Sequence, residues 1–322
     1  MQVREYSELT DAQRRRAAGT EFSDGDPPSI TERIDRVRLR GERYQGYVSL
    51  HAVDRGVPVA RVGSIRVTFV PATGDPETVC GITDVITRSD ALRRRHATRL
   101  LEAAHAQARS EGIRWAILWT HRAWVAHRLY ERLGYRDVYS PALVTRRTSE
   151  TRRPGRTSVR LRIARSGDAA RIERLLADAS VGRIGFSRRP KGWFSAVTRL
   201  GWRTPAAHRL AYVGGRPVGY VHLSMDRFDL VSREVVVAGP RHRGPMLDAL
   251  ERLGRGRWMG LRSTTFVADA GTELARRGYD RVPYDHAVMM ACPLRPVDRT
   301  EWRALARTIA DPRFALHGGD MI

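Results

Sequence analysis

The sequence predicts an α/β chain folded as two similar halves, each of strands alternating with helices. Three observations lead there. RGVPVARV at 55–62 recurs as GRPVGYV at 215–221, and RLYERLGYRDV at 128–138 recurs as TELARRGYDRV at 272–282. A repeat kept in order signals a doubled unit. Short runs rich in Val, Ile and Thr alternate with stretches whose apolar residues fall at helical spacing. The 322 residues also suffice for two domains, each large enough to bury its own core.

The elements follow in order. Val3–Tyr6 reads as a short strand and TDAQRRRAAG as the helix after it. RGVPVARV, entered through a Gly and a Pro, suits a hairpin strand. Residues 79–87 form another, followed by an arginine-dense turn and a helix ending at Gly112, with Leu100, Leu101, Ala104 and Ala108 as its buried stripe. A strand at Arg114–Trp119 and a helix to Leu133, closed by Gly134 and an aromatic-led strand, complete the half. The second half opens alike, with a strand at Val159–Ala164 and a helix in SGDAARIERLLADA that presents Ile172, Leu175 and Leu176 on one face. RRTSETRRPGRT between them is polar and broken by Pro154 and Gly155, as a linker would be. The expected division is a first domain at 1–147, a linker at 148–157, a second domain at 158–297, and a helix (Arg299–Ala310) with its tail at 298–322.

Composition bounds the function. Lys and Arg number 57 against 35 Asp and Glu, a net charge of +22. All the basic residues except Lys191 are arginine and they are spread over nearly every element, so no nucleic-acid partner is expected, because that footprint is a patch or stripe. The charge does favour anionic ligands. No apolar window reaches the roughly 18–20 residues of a membrane helix, and MQVREYSELTDAQRRR lacks the apolar core of a secretion signal, so a cytoplasmic protein without membrane contact is expected. Cys80 and Cys292 stand far apart with no metal-ligand spacing, so neither a metal nor a disulfide is expected.

The stretch 77–135 carries the chemistry. It reads strand, loop, helix, strand, helix, strand, with HATRLLEAA opening the first helix and LYERLGY closing the second. This segment resembles the acetyl-CoA-binding core of the GNAT superfamily of N-acetyltransferases, whose Q/R-x-x-G-x-G/A loop cradles a pyrophosphate on main-chain N–H groups at a helix start. An unpaired helix N-terminus offers donors and a partial positive charge. The resemblance places Leu92, Arg93, Arg94, Arg95, His96, Ala97 and Thr98 on that loop, with Ala97 at the final small position. Leu92 replaces the usual Gln or Arg, and Arg95 the first glycine. A register one residue along uses Arg93, His96 and Thr98 instead, and neither register matches cleanly.

The resemblance further implies that Tyr130 is the acid that protonates the departing thiolate and that the amides of Val85 and Thr87 align the pantetheine arm. Ala123 stands where the family usually has Asn. Asp84 is the candidate base, since a carboxylate inside a strand is costly unless it faces a cleft or a partner. Trp119 and His121 are expected to line the acceptor pocket. The implied activity is transfer of acetyl from acetyl-CoA, as cosubstrate, to a primary amine of a small molecule or peptide by direct attack. The alternative is a non-catalytic acyl-CoA-sensing or partner-binding module. Nothing in the pattern names the acceptor or an oligomeric state.

The second half preserves the frame but not these residues. Arg241 and Gly244 take loop positions, Met246 replaces the small residue, Pro245 removes an amide donor, and Leu274 stands at the tyrosine position. The arrangement is similar to tandem GNAT proteins of the enhanced-intracellular-survival type, without their sterol-carrier-like domain, and the resemblance implies two GNAT-type α/β domains, each a mixed, mostly antiparallel sheet flanked by helices. In that group a terminal carboxylate reaches the active site, which by analogy points to Ile322 or Asp320.

Overall fold

The structure is a computed structural model that describes residues 1–18, 46–148, 158–189, 191–192, 194–195, 207–225, 227–262, 264–283 and 287–316. The first half runs β1 (Gln2–Glu5), α1 (Asp11–Ala18), β2 (Val48–Asp54), β3 (Val57–Phe69), β4 (Glu77–Thr87) and α2 (His96–Ser110). It continues through β5 (Trp115–Thr120), α3 (Val125–Arg132), β6 (Arg136–Tyr139) and β7 (Ala142–Arg147). The second half begins with β8 (Arg160–Ile163), α4 (Ala169–Ser180), β9 (Ile184–Phe186), β10 (His208–Val213), β11 (Arg216–Met225) and β12 (Asp229–Val237). Then come α5 (Arg243–Leu253), β13 (Trp258–Leu261), α6 (Thr264–Asp269), α7 (Gly271–Arg276) and β14 (Asp280–Pro283). The last elements are β15 (Val288–Pro293), α8 (Arg299–Ala310) and β16 (Phe314–Leu316).

Two seven-stranded sheets result, in the orders β1-β2-β3-β4-β5-β15-β6 and β8-β10-β11-β12-β13-β7-β14. Each is antiparallel except for one parallel pair, β4–β5 in the first and β12–β13 in the second. The mixed α/β architecture in two copies is therefore the one expected. The sheets do not follow the chain's division, because β15 of the second half lies between β5 and β6 and β7 of the first lies between β13 and β14. The expected linker at 148–157 lies, from residue 149 on, outside the described residues, and the two sheets trade a strand across it in sequence. Repeat matching reveals that two similar units exist and is blind to which copy each final strand joins.

The repeated motifs have local explanations. LYERLGY and TELARRGY both end a helix in the same doubly bonded turn. Gly134 (φ +89°) donates to Glu131 O and Tyr135 to Tyr130 O; Gly278 (φ +75°) donates to Ala275 O and Tyr279 to Leu274 O. Glycine adopts the left-handed conformation at no side-chain cost, and the residue after it packs back on the one three places inside the helix end. Those contacts are Tyr135 on Tyr130 in the first half, with ring centroids 5.8 Å apart, and Tyr279 beside Leu274 in the core of the second.

On one face of the first sheet, α2 buries Leu100, Leu101, Ala104 and Ala108 against Val62, Cys80, Ile82 and Leu118. Each fully buried leucine contributes about 1.5–3 kcal/mol by its removal from water. Val288, Met290 and Cys292 of β15 belong to the same cluster, as does Tyr130. The opposite face, with Phe69, Val79, Trp115 and Ile117, is covered by Phe186, Leu305, Phe314 and Leu316 from the second half. That half thus supplies a strand and a cover to the first sheet. Among the described residues no helix is long and apolar enough to cross a membrane.

Candidate active site

Two parallel strands meet at the centre of the first sheet and then part. β4 and β5 pair only at Cys80↔Ala116 and Gly81↔Ile117, so beyond these residues the edge of β4 facing β5 is open. Just past that point β4 is bulged, with Thr83 opposite Gly63 and Ile86 opposite Arg61, leaving Asp84 and Val85 against the single residue Val62. A bulge inserts one residue and kinks the strand outward. Asp84 takes the left-handed conformation (φ +51°) to make it. Arg88 donates its amide to Val59 of β3. Strand alternation therefore turns the amides of Thr87 and Val85 toward the open side.

The loops leaving the carboxyl ends of these strands lie side by side. After β4 the chain runs through exposed Leu92, Arg93, Arg94 and Arg95 into α2. Arg93 (φ +63°) and Arg95 (φ +60°) are both left-handed, and Arg95 is the residue preceding the helix. Its conformation is the one glycine favours, at the position where the first sequence register expects glycine. The first helical bond is Arg99 N–H to Arg95 O, and no side chain caps the end. The amides of His96, Ala97 and Thr98 are therefore the donors an uncapped helix leaves open. His96 is buried, with Nδ1 3.0 Å from the Met1 sulfur and Nε2 without a partner. Burial holds its pKa below the usual histidine range.

After β5 the chain passes His121 and enters α3. His121 Nδ1 accepts from the Ala123 amide at 3.0 Å, so the neutral ring carries its proton on Nε2, and it stacks on exposed Trp124. One face of α3 carries His127 and Tyr130 into the protein. His127 bonds Asp137 of β6 at 2.9 Å, and Asp137 also holds Arg122 at 2.8 Å, which anchors the start of the helix to the sheet. Tyr130 is buried at 6% exposure and desolvation pushes its phenol up to about 12. Its hydroxyl makes no hydrogen bond with any described residue.

Val85 of the bulge packs against the same core cluster that holds Leu100 and Leu101 of α2 and Tyr130 of α3, so the three elements share one face of the sheet. Asp84 is half-buried and makes no ion pair among the described residues. Trp119 projects to the opposite face of the sheet from Tyr130, next to Tyr139 at 6.2 Å between ring centroids, and its buried indole N–H has no partner. The tail HGGDMI, with Asp320 and Ile322, lies outside the described residues. No trio of His, Cys, Asp or Glu among the described residues is placed to hold a metal. Sequence reading missed the contribution of β15, although VMMACP closed by a proline has the look of a strand; what it lacks is any mark of the sheet it joins.

The equivalent region of the second half keeps the parting strands and differs at the helix start. β12 and β13 pair over four residues, from Asp229↔Trp258 to Ser232↔Leu261, and Arg262 N–H then bonds Ser232 O, while β12 runs on to Val237 with a bulge at Arg233. Met246 is fully buried and packs on Gly219, where an added Cβ would come 2.6 Å from its Cε. His242, preceding α5, is right-handed, so no left-handed turn opens that helix.

Residues 9–135 match the sequence model described as "Acetyltransferase (GNAT) family". No curated protein matches the chain in sequence. Among solved structures, a probable N-acyltransferase from Enterococcus faecalis V583 superposes with a TM-score of 0.62 at 13% identity, over 90% of this chain and 72% of that one. A tandem GNAT protein from the clavulanic acid biosynthesis pathway gives 0.54 at 13% identity, over 92% of this chain and 99% of that one. Eis1 from Mycobacterium abscessus gives 0.53 at 16% identity, over 81% and 65%. At such identities the likeness concerns the fold. The chain carries the tandem GNAT fold, and the match to the family model lies in its first half.

Proposed function

We propose that the first half transfers acetyl from acetyl-CoA to a primary amine by direct attack, and that the second half is structural. The carrying observation is the contrast between Tyr130 and its twin. The same helix-ending turn holds Tyr130 in one half and Leu274 in the other. A leucine therefore satisfies the packing role, and the phenol of Tyr130 is surplus to it.

The amides of His96, Ala97 and Thr98 would hold the donor's pyrophosphate and those of Val85 and Thr87 its pantetheine arm. Asp84, or a water it orders, takes the proton of the attacking amine. As the carbon–sulfur bond breaks, Tyr130 gives its proton to the sulfur. With a pKa near 12 the phenol stays protonated at every physiological pH, and a phenolate left behind is quickly reprotonated from water. Direct attack is favoured over an acyl-enzyme because burial pushes both thiols, Cys80 and Cys292, up to about 11, and the thiol form is a poor nucleophile. Among the described residues these are the two cysteines, both buried.

The test is thiol release from acetyl-CoA on a panel of amines, for the native protein and Tyr130→Phe. Loss of a general acid is worth about 10²–10⁴-fold, so turnover should fall by that order while calorimetric acetyl-CoA binding is nearly unchanged. Equal turnover would remove Tyr130 from the mechanism.

A further inference from the structure

The arginine turn before α2 is arranged against the interest of the fold. Among the described residues four non-glycine positions have positive φ, and two of them, Arg93 and Arg95, flank Arg94 in this one turn. Among the described residues glycine takes such conformations thirteen times. A side chain in the left-handed region costs roughly 1–2 kcal/mol relative to the right-handed one, a cost glycine escapes. The folded protein does not recover that cost through the arginine side chains. Both are exposed, and neither forms an ion pair or a side-chain hydrogen bond with a described residue. Arg94 between them has only a loose pairing with Asp54 at 4.0 Å.

Two strained cations without an internal partner stand at the mouth of the donor cleft, one residue from the buried His96 whose Nε2 has no partner. We infer that Arg93 and Arg95 are specificity residues that bind the 3′-phosphate of the CoA donor, so that the site selects a fully phosphorylated CoA thioester over its 3′-dephospho counterpart. This rests on the donor site proposed above. The division of labour follows from position: the helix amides behind the turn suit the inner pyrophosphate, and guanidinium groups exposed at the rim suit the outermost phosphate. Guanidinium forms charge-assisted bonds with phosphate that a neutral amide does not match. Strain held at such a clamp is repaid on binding rather than on folding.

This yields an opposed pair of effects that a packing role would not produce. Arg93→Gly and Arg95→Gly should each raise the unfolding midpoint while weakening acetyl-CoA binding about tenfold, the weight of one charge-assisted hydrogen bond. Titration calorimetry of the full chain with acetyl-CoA and with 3′-dephospho-acetyl-CoA, at low and high salt, provides the readout. The native protein should prefer acetyl-CoA about tenfold or more, with the preference shrinking in salt. Each glycine variant should lose part of that preference, the double variant all of it, and Arg95→Lys should retain most. If the native protein binds both thioesters equally, or the glycine variants keep the preference, the arginines have no such role and the donor site still stands. If the native protein binds neither, the donor site falls and this inference with it.

Discussion

The exchange of strands predicts that neither half melts alone. Met290 is fully buried in the core of the first domain, paired with Leu118 on one side and Asp137 on the other, yet it is carried by β15 of the second half. Met290→Ala should cost about 2–5 kcal/mol, the range for emptying a buried site of that size. Unfolding entropy of about 2.1 cal/mol/K per residue gives about 0.7 kcal/mol/K for the 322 residues. The midpoint should therefore drop by about 3–7 °C. Scanning calorimetry should show one transition before and after, with calorimetric and van't Hoff enthalpies in agreement. Val144→Ala, on β7 in the core of the second domain, should lower that same transition. Two resolved transitions, with Met290→Ala shifting only one of them, would refute the coupling and show that each sheet holds its borrowed strand while the other unfolds.

Other expectations follow from the same contacts. Asp84→Gly should raise the melting midpoint by relieving a left-handed aspartate (φ +51°) while lowering turnover, and a variant that is stabler with unchanged turnover would leave water as the sole base. Titration calorimetry should return one acetyl-CoA per chain, because at the start of α5 Pro245 lacks an amide donor and Met246 is packed against Gly219; two would contradict that difference. His51 and His105 are held down to about 3 and about 4, mainly by burial and secondarily by Arg61 and Arg109. The folded chain thus binds fewer protons than the unfolded one below about pH 6.5, and stability should fall from there until about pH 3; urea titrations showing constant stability between pH 6 and pH 4 would refute this. The phenol of Tyr130, near 12, should impose no alkaline fall in turnover below about pH 11, so an earlier decline that persists in Tyr130→Phe belongs to another group.

The fold was legible where a residue's local role and its tertiary role coincide. Gly134 and Gly278 announce helix ends because only a left-handed residue can close that turn, and Leu100, Leu101, Ala104 and Ala108 share a face because helical spacing leaves them no other. Arg299–Ala310 is a helix between the very residues the pattern gives, since Asp298 caps it through Glu301 N–H and Glu301 returns the bond. The partnership of β15 with β5 was not legible, because an apolar strand carries no mark of which of two similar sheets receives it. The bulge at Asp84 was hidden for a related reason: aspartate in a strand signals that something is odd, but its left-handed backbone emerges only from the register of β3 against β4. At the turn before α2, arginine at a glycine position reads in sequence as a departure from the motif, whereas the backbone adopts the glycine conformation regardless of the side chain.

That last point bears on what the second half does for the first. It lacks the left-handed helix entry and the phenol of the first half. It nevertheless provides β15 beside β5, and Val288 and Met290 of that strand share the cluster in which Tyr130 is packed. It also covers the far side of the same sheet with Phe186, Phe314 and Leu305, beneath the strand that bears Trp119. A bare first half would expose β5 and β6 as unpaired edges and leave that apolar face in water, both of which invite aggregation. The second half can therefore lack a phenol at Leu274 and a small residue at Met246, both packed in its core, so long as it keeps β15 and its cover in place. Substitutions at Val288 or Met290 should consequently disturb the proposed acetyl transfer more than substitutions at exposed positions near the start of α5.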